Sequence, residues 1–385
     1  MRNNVIRLSG RIDSSNAAEL EKKILDRIEQ DSLTDLQIDA SRLEYISSAG
    51  LRVLLHIKKE VGSITITGVR SEVYELLEMT GFTQMMQIDM AYKKISVEGC
   101  EVIGEGQNGL VYRIGHDNVV KVYKNGDALE AIRHEREVAR LALILGIPTA
   151  ISCGIVEIEG GGYGSVFELL NAKSFSEVLI EEPDLMDWCV AEYTDLMKLL
   201  HTTEVPEGKL PSMKAQALEW VGRMKDTLPD AYGEKLQRLV EAVPERMTMI
   251  HGDLHTKNIV LTEGEVLVID MDMLSVGHPV FELAQMYNSF IGFSERDPGI
   301  ILRFQGYDHV TAETFWKKTL FAYLDTDDEK RIEEVQNKAR CVSYARLIDW
   351  SIRHHGTEDP EACATRDWWR EELISLLDQT QTLDF

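Results

Sequence analysis

Apolar residues recur along this chain with two spacings. In the first ninety-five residues, short apolar runs trade with stretches whose apolar positions fall three and four apart, the spacing of one helix face. The pattern predicts strands over 5–9, 36–38 and 64–67, and helices over 17–28, 49–60 and 73–79. The first helix gathers Leu20, Ile24, Leu25 and Ile28 on one side. Helices covering one face of a small sheet fit this alternation. Further on, Val102-Ile103 and Leu110-Val111-Tyr112 flank a glycine-rich turn, and 119–123 reads as a strand. A helix is expected over 128–145, a hairpin over 155–158 and 165–169, and a buried strand at Val266-Leu267-Val268-Ile269.

The strand at 266–269 leads into chemistry. Residues 250–272 read IHGDLHTKNIVLTEGEVLVIDMD, with Asp253, Asn258 five residues later and Asp270 at the end of the apolar run. Phosphoryl transfer needs such a set: a carboxylate to orient and deprotonate a hydroxyl, and an amide with a second carboxylate to hold Mg²⁺ on the phosphates. Upstream, GEGQNGLV places Gly104, Gly106 and Gly109 before Val111 in a GxGxxGxV turn. Glycines there let backbone N–H groups approach phosphate. Lys121 stands within an apolar strand, where an ammonium is costly unless it meets an anion. The α/β-phosphates supply one, with an acid from the following helix holding the ammonium in place. That helix offers Glu135 and Glu137, and Glu137 is favoured. A lone glycine-rich turn is weak evidence; five features in order carry the reading. His251 and His255 stand four apart, like some zinc pairs, but Asp253 and Asn258 fill the phosphotransfer template better and His251 reads as a brace for the loop. Asp272 reads either as an outer partner of the metal or as a solvent-facing partner of a base.

On these residues, the segment from about residue 98 to 385 resembles the aminoglycoside phosphotransferase and choline kinase branch of the protein-kinase-like enzymes. HGDLHxxN is that branch's catalytic loop, with Gly252 and His255 where protein kinases usually carry Arg and Lys. The resemblance implies that Asp253 is the catalytic base, that Asn258 and Asp270 bind Mg²⁺, and that Lys121 binds ATP phosphates. It also implies a hinge at Val166-Phe167-Glu168-Leu169-Leu170, where Glu168 and Leu170 meet adenine. EGGGYG at 159–164 reads as a plain hairpin turn without a phosphate role. Only MDMLSV separates Asp270 from GHPVFELA, too short for a peptide platform, which favours a small-molecule hydroxyl as acceptor. The GxGxxGxV turn leans the other way, toward protein kinases.

Residues 39–55, DASRLEYISSAGLRVLL, deliver Ser47 and Ser48 to the start of a helix. This resembles the STAS domain of bacterial anti-anti-sigma factors, and the resemblance makes Ser48, two before Gly50-Leu51, the phospho-acceptor. The family often has Asp just before that Ser; here Ser47 stands there. Ser48 also reads as a helix N-cap, a role compatible with a phosphate tolerated by the helix dipole. The expected architecture is therefore an α/β STAS domain over 1–92 and a two-lobed α+β protein-kinase-like fold. Its N-lobe is expected over 93–171 and its mostly helical C-lobe over 172–385. Residues 89–94, DMAYKK, hold no flexible linker composition.

Composition narrows the partners. Residues 1–95 hold 13 Lys/Arg and 14 Asp/Glu, leaving 28 and 51 of the chain's 41 and 65 for residues 96–385. Such an acidic half repels nucleic acid and anionic membrane and would attract a cationic acceptor, although a solvated surface explains the charge equally well. Five scattered cysteines without CxxC, no signal-peptide core and no long apolar run suggest a cytoplasmic protein. Trp368-Trp369 reads as core, and His354-His355 as surface. Three functions remain open: a small-molecule kinase regulated by STAS, a sigma-factor partner switch in which the kinase half phosphorylates Ser48, with an anti-sigma-factor-type partner at the STAS surface, and a nucleotide-sensing pseudokinase adaptor.

Overall fold

The computed structural model describes residues 5–105, 109–125, 128–262, 264–356 and 359–385. The N-terminal part runs β1 (Val5–Ile12), α1 (Ala17–Asp31), β2 (Asp35–Ile46), α2 (Ser48–Glu60), β3 (Ser63–Val69), α3 (Ser71–Met79) and β4 (Gln87–Met90). The strands pair in the order β1-β2-β3-β4, every pair parallel. Parallel neighbours require crossovers, which the three helices supply. Ile6, Leu8, Leu36, Ile38, Ile64 and Ile66 point into a core closed by Ile24, Ile28, Val53, Leu54, Ile57 and Leu77. Arg7, Ser9 and Gln37 lie exposed on the other face. One face of a small sheet is thus covered by helices, as the periodicity implies.

β2 is far longer than the expected 36–38. Its pairing with β1 carries irregularities between Arg7 and Ser9 and between Gly10 and Arg11. Beyond Ala40 its buried positions become Leu43 and Ile46, three apart, so the period of two breaks where the strand continues. β4 buries only Ile88, too little for a pattern. The N-cap of α2 is Ser47, whose hydroxyl accepts from Ala49 N–H at 3.2 Å. The expectation that Ser48 caps this helix is corrected: Ser48 is its first helical residue, with its side chain exposed.

The chain continues with β5 (Lys93–Ile95), β6 (Val102–Glu105), β7 (Gly109–Arg113), β8 (Asn118–Tyr123), α4 (Leu129–Ile144), β9 (Gly154–Ile158) and β10 (Tyr163–Glu168). Then follow β11 (Ala172–Ser174), α5 (Phe175–Glu181), α6 (Met186–Thr202), α7 (Met213–Met224), α8 (Asp230–Glu241), β12 (Met249–Ile250), β13 (Ile259–Thr262), β14 (Glu265–Val268) and β15 (Ser275–Val276). Helices α9 (Pro279–Phe290), α10 (Gly299–Gln305), α11 (His309–Leu324), α12 (Glu329–His355) and α13 (Pro360–Gln379) complete it. Contacts divide the chain into two compact units. The first comprises Met1–Tyr112, Val122–Gly126 and Gly154–Ser165; the second comprises Arg113–Lys121, Asp127–Cys153 and Val166–Phe385.

In the first unit, β6 and β7 pair antiparallel, with Gly104 opposite Val111 and Glu105 opposite Leu110. A Cβ on Gly109 would lie 2.4 Å from the Val122 carbonyl oxygen, so no other residue fits that position. Gly104 and Val111 belong to that pair of strands, whereas Gly106 lies outside the described residues. EGGGYG is the turn between β9 and β10, as expected, with Gly161 N–H donating to Ile158 O at 3.0 Å.

The second unit is built on one large core of α6, α7, α9, α11, α12 and α13, including Tyr193, Phe281, Phe290, Phe315 and Leu347. Trp369 is buried in it and Trp368 packs at its margin, 6.3 Å from the Tyr344 ring, while His354 and His355 are exposed. All five cysteines are free, and among the described residues no helix is long and apolar enough to cross a membrane.

Candidate active site

Two short antiparallel pairings build the site. β13 and β14 form a hairpin in which Ile259 faces Val268. Asn258 precedes the first strand and Asp270 follows the second, so residues twelve apart in sequence emerge at one end. The bond from Ile269 N–H to Asn258 O, 2.9 Å, closes that end. β12 delivers His251, Gly252 and Asp253, and pairs with β15 just beyond the metal-binding candidate. Gly252 has φ +82°, and a Cβ there would meet the Met273 carbonyl oxygen at 2.8 Å. This close approach leaves no room for a side chain at that position.

Asp270 adopts a left-handed conformation, φ 64° and ψ 62°, uncommon outside glycine but tolerated by Asp. The turn ends the strand and sends the carboxylate toward β8. There Lys121 Nζ donates to Asp270 Oδ1 at 2.8 Å and to Glu135 Oε1 at 3.0 Å. The partner from α4 is therefore Glu135 and not Glu137. Ile132, Glu135, Val138, Ala139 and Ala142 form the buried stripe of α4, and Glu137 is exposed. Residues two apart on a helix lie about 200° apart around it, so only one of the pair can face inward.

Asp253 is held by its loop. His251 is fully buried; its Nδ1 accepts from Asp253 N–H at 3.2 Å, which leaves Nε2–H to donate to Ile269 O at 3.2 Å. Asn258 Nδ2 donates to the Asp253 carbonyl at 2.9 Å, which turns Oδ1 the other way. His255 Nε2 lies 3.6 Å from Asp253 Oδ2. Burial pushes the Asp253 carboxyl up, but His255, His251 and Arg346 outweigh it and hold it below its ordinary value. The group is a carboxylate at neutral pH, ready to accept a proton.

The sequence reading missed a brace. Glu282 of α9, with no exposed surface, accepts from His251 N–H at 2.6 Å and from Gly252 N–H at 3.1 Å. It satisfies two backbone donors that the tight loop cannot pair internally. A carboxylate inside the apolar stretch PVFELA was the available signal, because a buried acid needs fixed donors. Tyr193 adds a bond from its hydroxyl to Leu254 O at 2.8 Å, and Thr256 Oγ1 is bonded to Ser176 and Tyr307, both at 2.8 Å. Arg346 of α12 was also overlooked; its guanidinium carbon sits 5.5 Å from the centre of the Trp220 ring.

The donor set fits a hard divalent cation. The Asn258 amide oxygen and the Asp270 carboxylate are oxygen ligands of the kind Mg²⁺ takes. Asp272 lies beside them, and its carboxyl is pushed up to about 7 by burial, then by Asp270 and Glu135, with Lys121 opposing. Several carboxylates crowd one ammonium, and a cation would relieve that repulsion. At the hinge, Leu169 N–H donates to Asp117 O at 2.8 Å.

These features define a kinase-like phosphotransfer fold. The phosphotransferase enzyme family model matches residues 99–317, and the chain belongs to that family. A second model, described as Mlab, STAS domain, matches residues 2–88. Over 85 residues, 21% of this chain, the N-terminal part is 32% identical to BtrV of Bordetella bronchiseptica, described as an anti-sigma factor antagonist, and covers 72% of it. Among solved structures, the chain resembles aminoglycoside phosphotransferase APH(4)-Ia in complex with AMP-PNP and hygromycin B. That match has a TM-score of 0.50 and 14% identity, covering 74% of this chain and 95% of the other. A choline/ethanolamine kinase family protein from Mesorhizobium loti is similar at 15% identity and TM-score 0.46, covering 72% and 88%. The N-terminal region is thus an α/β STAS-like domain, followed by the larger α+β kinase-like fold.

Proposed function

We propose that this protein is an ATP- and Mg²⁺-dependent phosphotransferase that moves the γ-phosphate to a hydroxyl of a small molecule, with its STAS domain as a regulatory or docking module. The observation that carries the reading is the convergence of Lys121, Asp253, Asn258 and Asp270 around one hairpin end. Mg²⁺, held by Asn258 and Asp270, would neutralise charge on the transferring phosphate. Asp253 orients the acceptor hydroxyl and takes its proton as the oxygen attacks phosphorus. Lys121, steadied by Glu135, holds the nucleotide phosphates, and the turn of Gly104, Gly106 and Gly109 contributes backbone N–H groups to them, with Val111 beside the nucleotide. Glu168 and Leu170 present backbone to adenine. The functional division we adopt is 1–92, 93–171 and 172–385, in a cytoplasmic protein. The short segment after Asp270 favours a small acceptor over a peptide. ADP release across a panel of hydroxyl compounds, with Asp253→Asn as control, tests the reading. No turnover on any compound, with ATP binding intact, would leave the pseudokinase adaptor as the better description.

A second reading has its own support: Ser48 is exposed at the first turn of α2, where a phosphate would meet the positive end of the helix dipole. In that version the kinase half phosphorylates Ser48, and the STAS surface binds an anti-sigma-factor-type partner according to its phosphorylation. Intact mass after incubation with ATP and Mg²⁺ separates the two. A gain of about 80 Da that disappears in Ser48→Ala supports self-phosphorylation, and an unchanged mass removes it.

A further inference from the structure

An aromatic ring and an unpaired ammonium stand in the open next to the catalytic carboxylate. The Asp253 side chain is 39% exposed, so an acceptor can reach it. His255 Nε2 lies 3.6 Å from Asp253 Oδ2, and the His255 ring meets the Phe304 ring at a steep angle, centres 5.0 Å apart. Lys257, two residues further along the loop, places Nζ 5.5 Å from the centre of that same ring. Between His255 and Lys257, Thr256 turns inward, and its buried hydroxyl is bonded to Gln305 at 3.0 Å and to Tyr307 at 2.8 Å. These bonds pin the end of α10 to the catalytic loop. Phe304 nevertheless stays 41% exposed. A ring held in water beside a reacting group forgoes apolar burial that a ligand can recover. Lys257 is exposed and makes no hydrogen bond or ion pair among the described residues, whereas Arg303, the neighbour of Phe304, is paired with Asp297 at 2.5 Å. Its contact with the ring leaves the ammonium's N–H donors available.

We propose that Phe304 and Lys257 are specificity-determining residues on the acceptor side of Asp253: the ring packs on an apolar face of the acceptor, and the ammonium pairs with an oxyanion that the acceptor carries. The phosphorylated molecule is then a cyclic hydroxyl compound bearing a carboxylate or a phosphate. The inference rests on the phosphotransferase reading and names the acceptor class for it. The hydroxyl goes to Asp253, and the flat C–H face of a ring covers the exposed part of Phe304. A cationic acceptor would set its charge against Lys257, whereas an anionic one supplies the partner that the lysine lacks. The acidic composition attracts cations from a distance, but that field is screened over about 8 Å at physiological salt. Direct pairing at the loop therefore decides which charge is accepted.

The test uses the full chain, its Lys257→Met, Lys257→Arg and Phe304→Leu variants, and six compounds at matched ionic strength: glucose, glucosamine, glucuronate, glucose 6-phosphate, glycerol and glycerate. Thermal unfolding with each compound reads binding without requiring turnover. In the wild type an anionic sugar should raise the melting temperature above glucose and glucosamine, and also above glycerate, which has the charge without the ring. Glucuronate against glucose 6-phosphate separates a carboxylate from a phosphate. Lys257→Met should remove the advantage of the anions over glucose, Lys257→Arg should keep most of it, and Phe304→Leu should remove the advantage of the ring over glycerate. In turnover, Lys257→Met should raise KM for the anionic sugar about tenfold or more, with kcat changed far less and KM for ATP unmoved, the mark of lost acceptor binding. Absence of anion protection in the wild type, equal protection of the wild type and either Lys257→Met or Phe304→Leu, or a KM effect confined to ATP would each overturn the proposal. Binding that depends on both residues, without turnover on any compound, would instead uphold the site and remove the phosphotransfer reading.

Discussion

Lys121 Nζ lies 2.8 Å from Asp270 Oδ1, and the same ammonium reaches Glu135 at 3.0 Å. The acid from α4 and the metal-binding candidate thus share one cation. Glu135→Ala should weaken ATP-dependent turnover by about tenfold or more, because a largely buried ammonium loses a fixed partner. Glu137→Ala, on the exposed face, should stay within about twofold. Steady-state kinetics on the two variants checks this, and a reversed order would contradict the pairing.

Asp270→Ala should abolish Mg²⁺-dependent turnover, while Lys121→Ala should act chiefly by raising the KM for ATP. Asp253→Asn should lower kcat by about 10²- to 10⁴-fold, the usual share of a positioned base, and leave nucleotide binding intact. Nucleotide titration alongside kinetics distinguishes the three, and unaltered rates in any of them would contradict its assignment.

Glu282→Ala should be among the more destabilising single changes in the chain. It orphans the N–H groups of His251 and Gly252 in a fully buried place, each costing about 1–3 kcal/mol. Urea unfolding should show the loss. A variant within experimental error of wild type would mean that the loop finds other acceptors.

His278 caps α9 through Nδ1, which accepts from Val280 N–H at 3.1 Å, and its Nε2 faces Asp384 at 3.0 Å. Burial, then Arg246, pushes this imidazole from 6.5 down to about 4. The folded state therefore favours the neutral ring. The resulting stability is complete above pH 6.5 and lost as pH falls through about 4, up to about 3 kcal/mol. Urea midpoints at pH 7.5 and 4.5 should separate by less in His278→Asn, which keeps a capping side chain. An equal separation would assign the acid sensitivity elsewhere.

Ser47→Ala should cost the N-terminal domain about 1 kcal/mol by removing the cap of α2. Ser48→Ala should cost only a few tenths, because its exposed side chain fills no cap. Thermal unfolding of the two variants settles which serine is structural.

The fold was legible wherever period and punctuation agreed. The helices at Ala17–Asp31 and Leu129–Ile144 fall where amphipathic spacing put them, and the catalytic hairpin follows from an apolar run bounded by Asn258 and Asp270. The length of β2 was hidden because bulged pairing destroys the alternation that marks a strand. The choice between Glu135 and Glu137 was decidable from the helix period, since Glu135 falls in line with Ile132, Val138 and Ala139. Ser47 and Ser48 are adjacent and chemically alike, and only backbone geometry tells cap from first turn. Glu282 lies outside every motif, and its role emerges only when α9 reaches the loop.

The eight residues from Asp270 to Gly277 have a consequence for control. Ser275–Val276 is stitched to Met249–Ile250, and Gly277 N–H donates to Thr248 O at 3.0 Å. These backbone bonds tie the stretch down, and it is too short to form a long peptide-binding segment after Asp270. Under the proposed phosphotransferase function, an on–off command would have to reach the site from another part of the polypeptide, a role open to the STAS-like domain.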